Sequence, residues 1–209
     1  MAQLFSIHPQ NPQPRLIRQA AEILRAGGVI VYPTDSCYAL GCRIGDKDAM
    51  ERVRDIRGVD EKHHFTLVCR DVSEIAHYAR VDNRQFRLLK AAFPGSYTFI
   101  LEATKEVPRR LQHPKRRTIG VRIPEHPVAL ALLAELGEPI LSSTLLLPGD
   151  EHPLNDAEEI RARLGRRVDL VMDSGSCVLE MTTVLDITGD AAVVVRTGKG
   201  ELARLGLAA

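Results

Sequence analysis

Four apolar runs in this chain each hand over directly to hydroxyls or to an arginine. Val29–Tyr32 leads into Thr34, Asp35 and Ser36, and Ile140–Leu141 leads into Ser142, Ser143 and Thr144. Thr118–Val121 is followed by Arg122, and Val193–Val195 by Arg196. Guanidinium groups offer phosphates and carboxylates paired, charge-assisted hydrogen bonds, and hydroxyls fill the acceptors that remain. Such a set suits a phosphate-bearing ligand. In open α/β sheets ligands lie in a crevice beyond strand ends, so Arg122 and Arg196 are expected to converge on one ligand there. Taken singly, each of these hydroxyls reads more readily as a cap on a strand or turn than as a ligand contact. Their recurrence after separate runs is what points to a site.

Other chemistries find little support. There is no G-x-x-x-x-G-K-S/T loop and no G-x-G-x-x-G turn, which removes the Walker and Rossmann routes to a nucleotide. H-E-x-x-H and G-x-S-x-G are absent too. His63 and His64 could act as a base or a metal pair, His64 foremost. Adjacent residues on a strand point apart, however, which favours a loop surface for them. Cys37, Cys42, Cys69 and Cys177 form no C-x-x-C pair, so reduced thiols are expected and a metal is not. Arg109, Arg110, Lys115, Arg116 and Arg117 make the densest basic stretch, and Arg161, Arg163, Arg166 and Arg167 a second. Each reads as a solvated face or as a footprint for RNA phosphates. With 28 basic and 27 acidic residues the net charge is +1, so only a local patch could bind nucleic acid.

These groups need a scaffold. A length of 209 residues suggests one domain spanning residues 1–209, and 44% hydrophobic content is enough for a full core. No apolar run reaches membrane length and no secretory pattern opens the chain, so a cytoplasmic protein is expected. Spacing and capping residues predict helices over Asn11–Gly28, from Asp46 to Gly58, after Asp71, and over Asp82–Phe93, His126–Leu136 and Ala157–Leu164. Strands are predicted at Val29–Tyr32, Phe65–Cys69, Tyr97–Leu101, Thr118–Ile123 and Pro139–Ser143, then at Val168–Met172, Thr183–Ile187 and Ala192–Arg196. Helices and strands interleave early and strands crowd together late. That order predicts an α/β fold, a single-domain twisted open mixed sheet with helices on its faces.

The segment G-G-V-I-V-Y-P-T-D-S-C-Y-A-L-G-C, Gly27–Cys42, resembles the entry motif of the YrdC/YciO-like family, which typically reads V-x-P-T-E-T-x-Y-G-L-G. The likeness continues in order through Pro94–Leu101, Thr118–Pro124, His126–Ala129, Gly137–Gly149, Thr182–Asp186 and Val194–Gly198. It covers almost the whole chain, and its wording is closest to the YciO branch, with P-T-D-S early and L-P-G late. The resemblance implies a concave, positively charged sheet face. It also implies the chemistry of threonylcarbamoyl-AMP synthases, which join threonine, bicarbonate and ATP with Mg²⁺ and release pyrophosphate. Their product serves modification of adenosine 37 in tRNA, and the fold is associated with double-stranded RNA and tRNA binding. Carried over by position, Thr34 resembles a threonine-site residue. Thr118, Arg122, Ser142, Thr144, Thr182 and Arg196 resemble residues lining a joint threonine and ATP pocket, and Arg57 stands where the family has a lysine.

Two departures stand out. The synthases carry K-x-R-P where this chain has Arg57-Gly58-Val59-Asp60, and S-x-N where it has Thr144 and Leu146. Valine and leucine side chains make no hydrogen bond. The resemblance therefore implies either a synthase of weak or altered activity or a non-catalytic nucleotide- or RNA-binding module.

Overall fold

A computed structural model of the protein describes residues 1–60 and 65–207. His63 and His64 lie outside the described residues. Capping side chains fix where most helices begin. α1 (Pro14–Arg25) opens on a proline. Asp46, Asp71 and Asp156 each accept from the main-chain N–H three residues on, starting α2 (Lys47–Arg57), α3 (Val72–Tyr78) and α6 (Ala157–Leu164). Asp82 and Gln85 bond reciprocally at the start of α4 (Asn83–Ala92). α5 (Pro127–Leu136) again opens on a proline and stops at Gly137.

Ten strands form one sheet. They are β1 (Gln3–Ser6), β2 (Ile30–Tyr32), β3 (Ala39–Arg43), β4 (Thr66–Val68), β5 (Tyr97–Glu102), β6 (Thr118–Arg122), β7 (Ile140–Thr144), β8 (Leu170–Asp173), β9 (Thr183–Asp186) and β10 (Val193–Arg196). Their order is β1-β8-β2-β3-β7-β4-β6-β5-β9-β10. The sheet is mixed: β1-β8-β2, β4-β6 and β5-β9 pair in parallel, and the other neighbours are antiparallel. This is the expected fold class. β1 and β3 are the strands the sequence reading did not anticipate.

Alternation along the strands sorts residues onto two faces. Val31, Leu40, Leu67, Val121 and Leu141 pack against Met50, Val53, Ile56, Leu89 and Ile160 in the larger core. Their strand neighbours Ile30, Tyr32, Val68, Ile140 and Leu170 face the other way, onto α1 and α5. Those two helices cover only one side of that second face. Across β6, β5 and β9 it carries no helix, and there the cavity lies.

Candidate functional site

The uncovered face holds a cavity of about 440 Å³. Register shows why its floor is concave. Ala39 pairs with Thr144, and Thr66 with Ser142 and Gly120, so small and hydroxyl residues stand side by side across four strands, bordered by Ile100 opposite Gly120 on β5. A Cβ on Gly120 would come within 3.2 Å of Thr66 Oγ1, which makes the absence of a side chain there part of the floor's shape. The sequence reading placed the site beyond strand ends. Most of the lining instead comes from the face, because neighbouring strands run in opposite directions and like ends do not gather on one edge. Phe65, Ser143 and Arg57 carry the cavity to the end of the sheet where β7 stops and β4 begins.

Arg57, Thr118, Arg122, Ser142, Thr144, Thr182 and Arg196 all line this one cavity. Arg122 and Arg196 close β6 and β10, which run in the same direction, and this brings them to one space as expected. Thr34 is different. It is buried beneath the 33–38 loop and its hydroxyl donates to the Cys37 carbonyl at 2.6 Å, so it shapes the loop and does not line the cavity. That loop leaves β2 yet meets β6, four places away in the sheet, because Arg122 Nη2 lies 2.5 Å from Asp35 Oδ1. Ser96 donates to the second oxygen of Asp35 at 2.6 Å, and Lys199 donates to its carbonyl. Burial pushes the Asp35 carboxyl up, but Arg122 and the Ser96 hydroxyl outweigh it and hold the group below its usual range.

The other polar groups are equally fixed. The Tyr32 phenol, pushed up to about 12 by burial, stays neutral and meets Ser142 Oγ at 2.8 Å. Arg196 donates to the Thr182 carbonyl at 3.1 and 2.9 Å and to its hydroxyl at 3.2 Å. Arg57 donates to Ser143 Oγ at 3.1 Å and to the Leu146 carbonyl. It is placed there by Gly58, which ends α2 at φ 61° and would bring a Cβ within 2.5 Å of Pro148. Arg122 is thus matched by Asp35, and Arg116 by Asp186 at 3.2 Å. Among the described residues Arg57 and Arg196 bond only to neutral groups, and burial lowers the pKa of both. Val59 and Leu146, where the synthase pattern has arginine and asparagine, are half-buried and outside the lining.

Several lining residues escaped the sequence reading, among them Cys37, Thr66, Thr98 and Asp186. Thr98 carries a signal that could have found it, a hydroxyl beginning an apolar run as Thr118 does. Burial pushes the Cys37 thiol up, which keeps it protonated and a poor nucleophile. The basic stretch divides. Arg116 turns into the cavity wall, Arg110 donates to the Gly45 carbonyl, and Arg109, Lys115 and Arg117 stay exposed. Among the described residues no three acidic, histidine or cysteine side chains gather as a metal site, and no helix is long and apolar enough to cross a membrane.

Known proteins share this arrangement. YciO of Escherichia coli K12 is 58% identical over 202 residues, 97% of this chain and 98% of that protein. Its crystal structure superposes with a TM-score of 0.94, covering 98% of this chain and all of that one. The threonylcarbamoyl-AMP synthase of Halorhodospira halophila is 32% identical over 176 residues, 84% of this chain and 91% of the synthase. Pyrococcus abyssi Sua5, solved with L-threonine, shares the fold at 24% identity and a TM-score of 0.86, over 93% of this chain and 57% of Sua5. The sequence profile of the Sua5/YciO/YrdC family, described as telomere recombination, matches residues 22–198. With the profile spanning most of the chain and relatives matching along nearly its whole length, this protein belongs to the Sua5/YciO/YrdC family.

Proposed function

We propose that the cavity binds ATP with its Mg²⁺, together with threonine and bicarbonate, and forms threonylcarbamoyl-AMP and pyrophosphate. One observation carries this reading. Four arginines line a cavity of about 440 Å³, and two of them, Arg57 and Arg196, face it without a carboxylate partner among the described residues. Guanidiniums held by neutral groups on a cavity wall favour an anionic ligand that completes their pairing. Kinship with synthases names the anions. Threonine and bicarbonate give a carbamate, whose oxygen attacks the α-phosphorus as the bond to pyrophosphate breaks. No side-chain nucleophile takes part, so the work is alignment and neutralisation of phosphoryl charge. Asp35 and Asp186 are both paired with arginines, so Mg²⁺ would arrive bound to ATP and would neutralise phosphoryl charge alongside Arg57 and Arg196. Incubation with ATP, bicarbonate and threonine is expected to release pyrophosphate and yield an adduct with the mass of threonylcarbamoyl-AMP. Pyrophosphate only with a different amino acid would reassign the substrate, and none with any would overturn the reading.

A second reading rests on the exposed cations Arg109, Lys115 and Arg117. If they contact RNA phosphates, changing all three to alanine flattens the salt dependence of duplex binding by roughly two to three log–log units. Gel-shift titrations at two salt concentrations measure this, and Arg116 is left intact because it belongs to the cavity wall. An unchanged slope makes the stretch an ordinary solvated face.

A further inference from the structure

β10 carries an extra residue exactly where it borders the cavity. It pairs Val193 with Asp186 and Val194 with Leu185, but Arg196, not Val195, stands opposite Val184. In an unbroken ladder Arg196 would oppose Thr183, which is fully buried and bonds through its hydroxyl to the Gly200 carbonyl at 2.6 Å. The bulge instead sets two chain neighbours against one partner and turns both toward the cavity. An aliphatic side chain and a guanidinium therefore share one stretch of wall. Val184 and Ile100 extend the aliphatic strip, and Met181 lies beside Arg196 with its sulfur 3.6 Å from Nη1. Val195 is 57% exposed, much like Val193 at 59% on the same edge strand, but of the β10 valines it is the one on the cavity wall.

Resting on the nucleotide reading above, we infer that Val195 is a specificity-determining residue: it contacts the base of a nucleotide whose phosphate pairs with Arg196. A ligand with a flat, weakly polar ring a few bonds from an anion matches this wall, and a bare phosphate or sugar phosphate does not. The bulge is what allows the two contacts to come from consecutive residues.

The test compares binding of AMP and ribose 5-phosphate to the full chain by calorimetry. The parent is expected to prefer AMP by about tenfold, the scale of one aliphatic side chain covered by a ligand. Deleting Val195 restores an ordinary ladder and leaves Arg196 opposite Val184, so ribose 5-phosphate should bind within about twofold of the parent while the preference for AMP is lost. Val195→Ser keeps the chain length and should narrow the preference in the same way if the deletion does not fold. A preference that survives in the serine variant overturns the inference. So does a parallel loss of ribose 5-phosphate binding, which would mean that Val195 acts by placing Arg196. A parent that binds both ligands equally overturns the base contact alone, whereas a parent that binds neither overturns the nucleotide reading and this inference with it.

Discussion

Replacing Arg122 by alanine is expected to destabilise the protein by about 3–5 kcal/mol, the usual cost of stranding one member of a buried ion pair. The pair is well enclosed, with side-chain exposures of 10% for Arg122 and 8% for Asp35. Removing the guanidinium leaves the Asp35 carboxylate with Ser96 as its remaining side-chain donor. Thermal unfolding should show a fall in Tm of roughly 10 °C for a chain of this length. The double variant Arg122→Ala with Asp35→Ala should recover part of that loss, because no charge is then left without a partner. A second readout comes from pH. The Asp35 carboxyl titrates lower in the folded protein than in the unfolded chain, so its contribution is complete above the unfolded value of about 4 and is lost as pH falls through the folded value. The parent should lose this increment in acid, and the double variant has none to lose. A single variant as stable as the parent would show that the pair contributes nothing net.

The other large effect concerns turnover. Val59→Arg with Leu146→Asn restores the two polar positions of the synthase pattern, and pyrophosphate release dependent on ATP, threonine and bicarbonate should rise. One charge-assisted contact and one amide contact, gained independently, amount to roughly 3–6 kcal/mol of transition-state stabilisation. That corresponds to a gain on the order of 100-fold to 10⁴-fold. The geometry makes the two positions unequal. Val59 sits one residue past the glycine that ends α2, so an arginine there can extend from the same corner as Arg57. Leu146 already offers its carbonyl to Arg57, and an asparagine adds a side-chain amide beside that contact. A folded double variant that binds ATP without any gain in pyrophosphate release would assign the cavity to different chemistry.

Helices were the most legible part of the sequence, because their ends are written in single residues. Asp46, Asp71, Asp82 and Asp156 each cap where they were read or where a helix was placed, and Gly58 and Gly137 close α2 and α5. β3 was harder. Its Ala39 and Gly41 are too small to mark a strand by hydrophobic pattern, yet Gly41 must be small, since a Cβ there would meet Tyr32 at 2.9 Å. β1 is four residues long and only partly buried, and it gains its place by pairing with β8, far along the chain. The site was legible as a set of residue types and not as a surface. Thr66, Thr98 and Ser142 stand on different strands, and only the register of β4, β5, β6 and β7 brings them to one wall. Lys199 was invisible for the same reason, because its contact with the Asp35 carbonyl joins segments that no local pattern links.

The strand order also constrains the sequence of events as the chain leaves the ribosome. β7 inserts between β3 and β4, and β8 between β1 and β2, so the portion ending after β6 holds two separate runs, β2-β3 and β4-β6-β5, with nothing yet to join them. Residues 140–144 and 170–173 must emerge before the first half of the chain has its hydrogen-bond partners. Until then, the main-chain groups of β1 and of the facing edges of β3 and β4 are satisfied only by water or by something that shields them, and pairing between such distant segments is slow. Nascent chains of this protein therefore expose open strand edges for most of their synthesis, and the cavity comes into being only when Arg196 and Lys199 arrive to complete it.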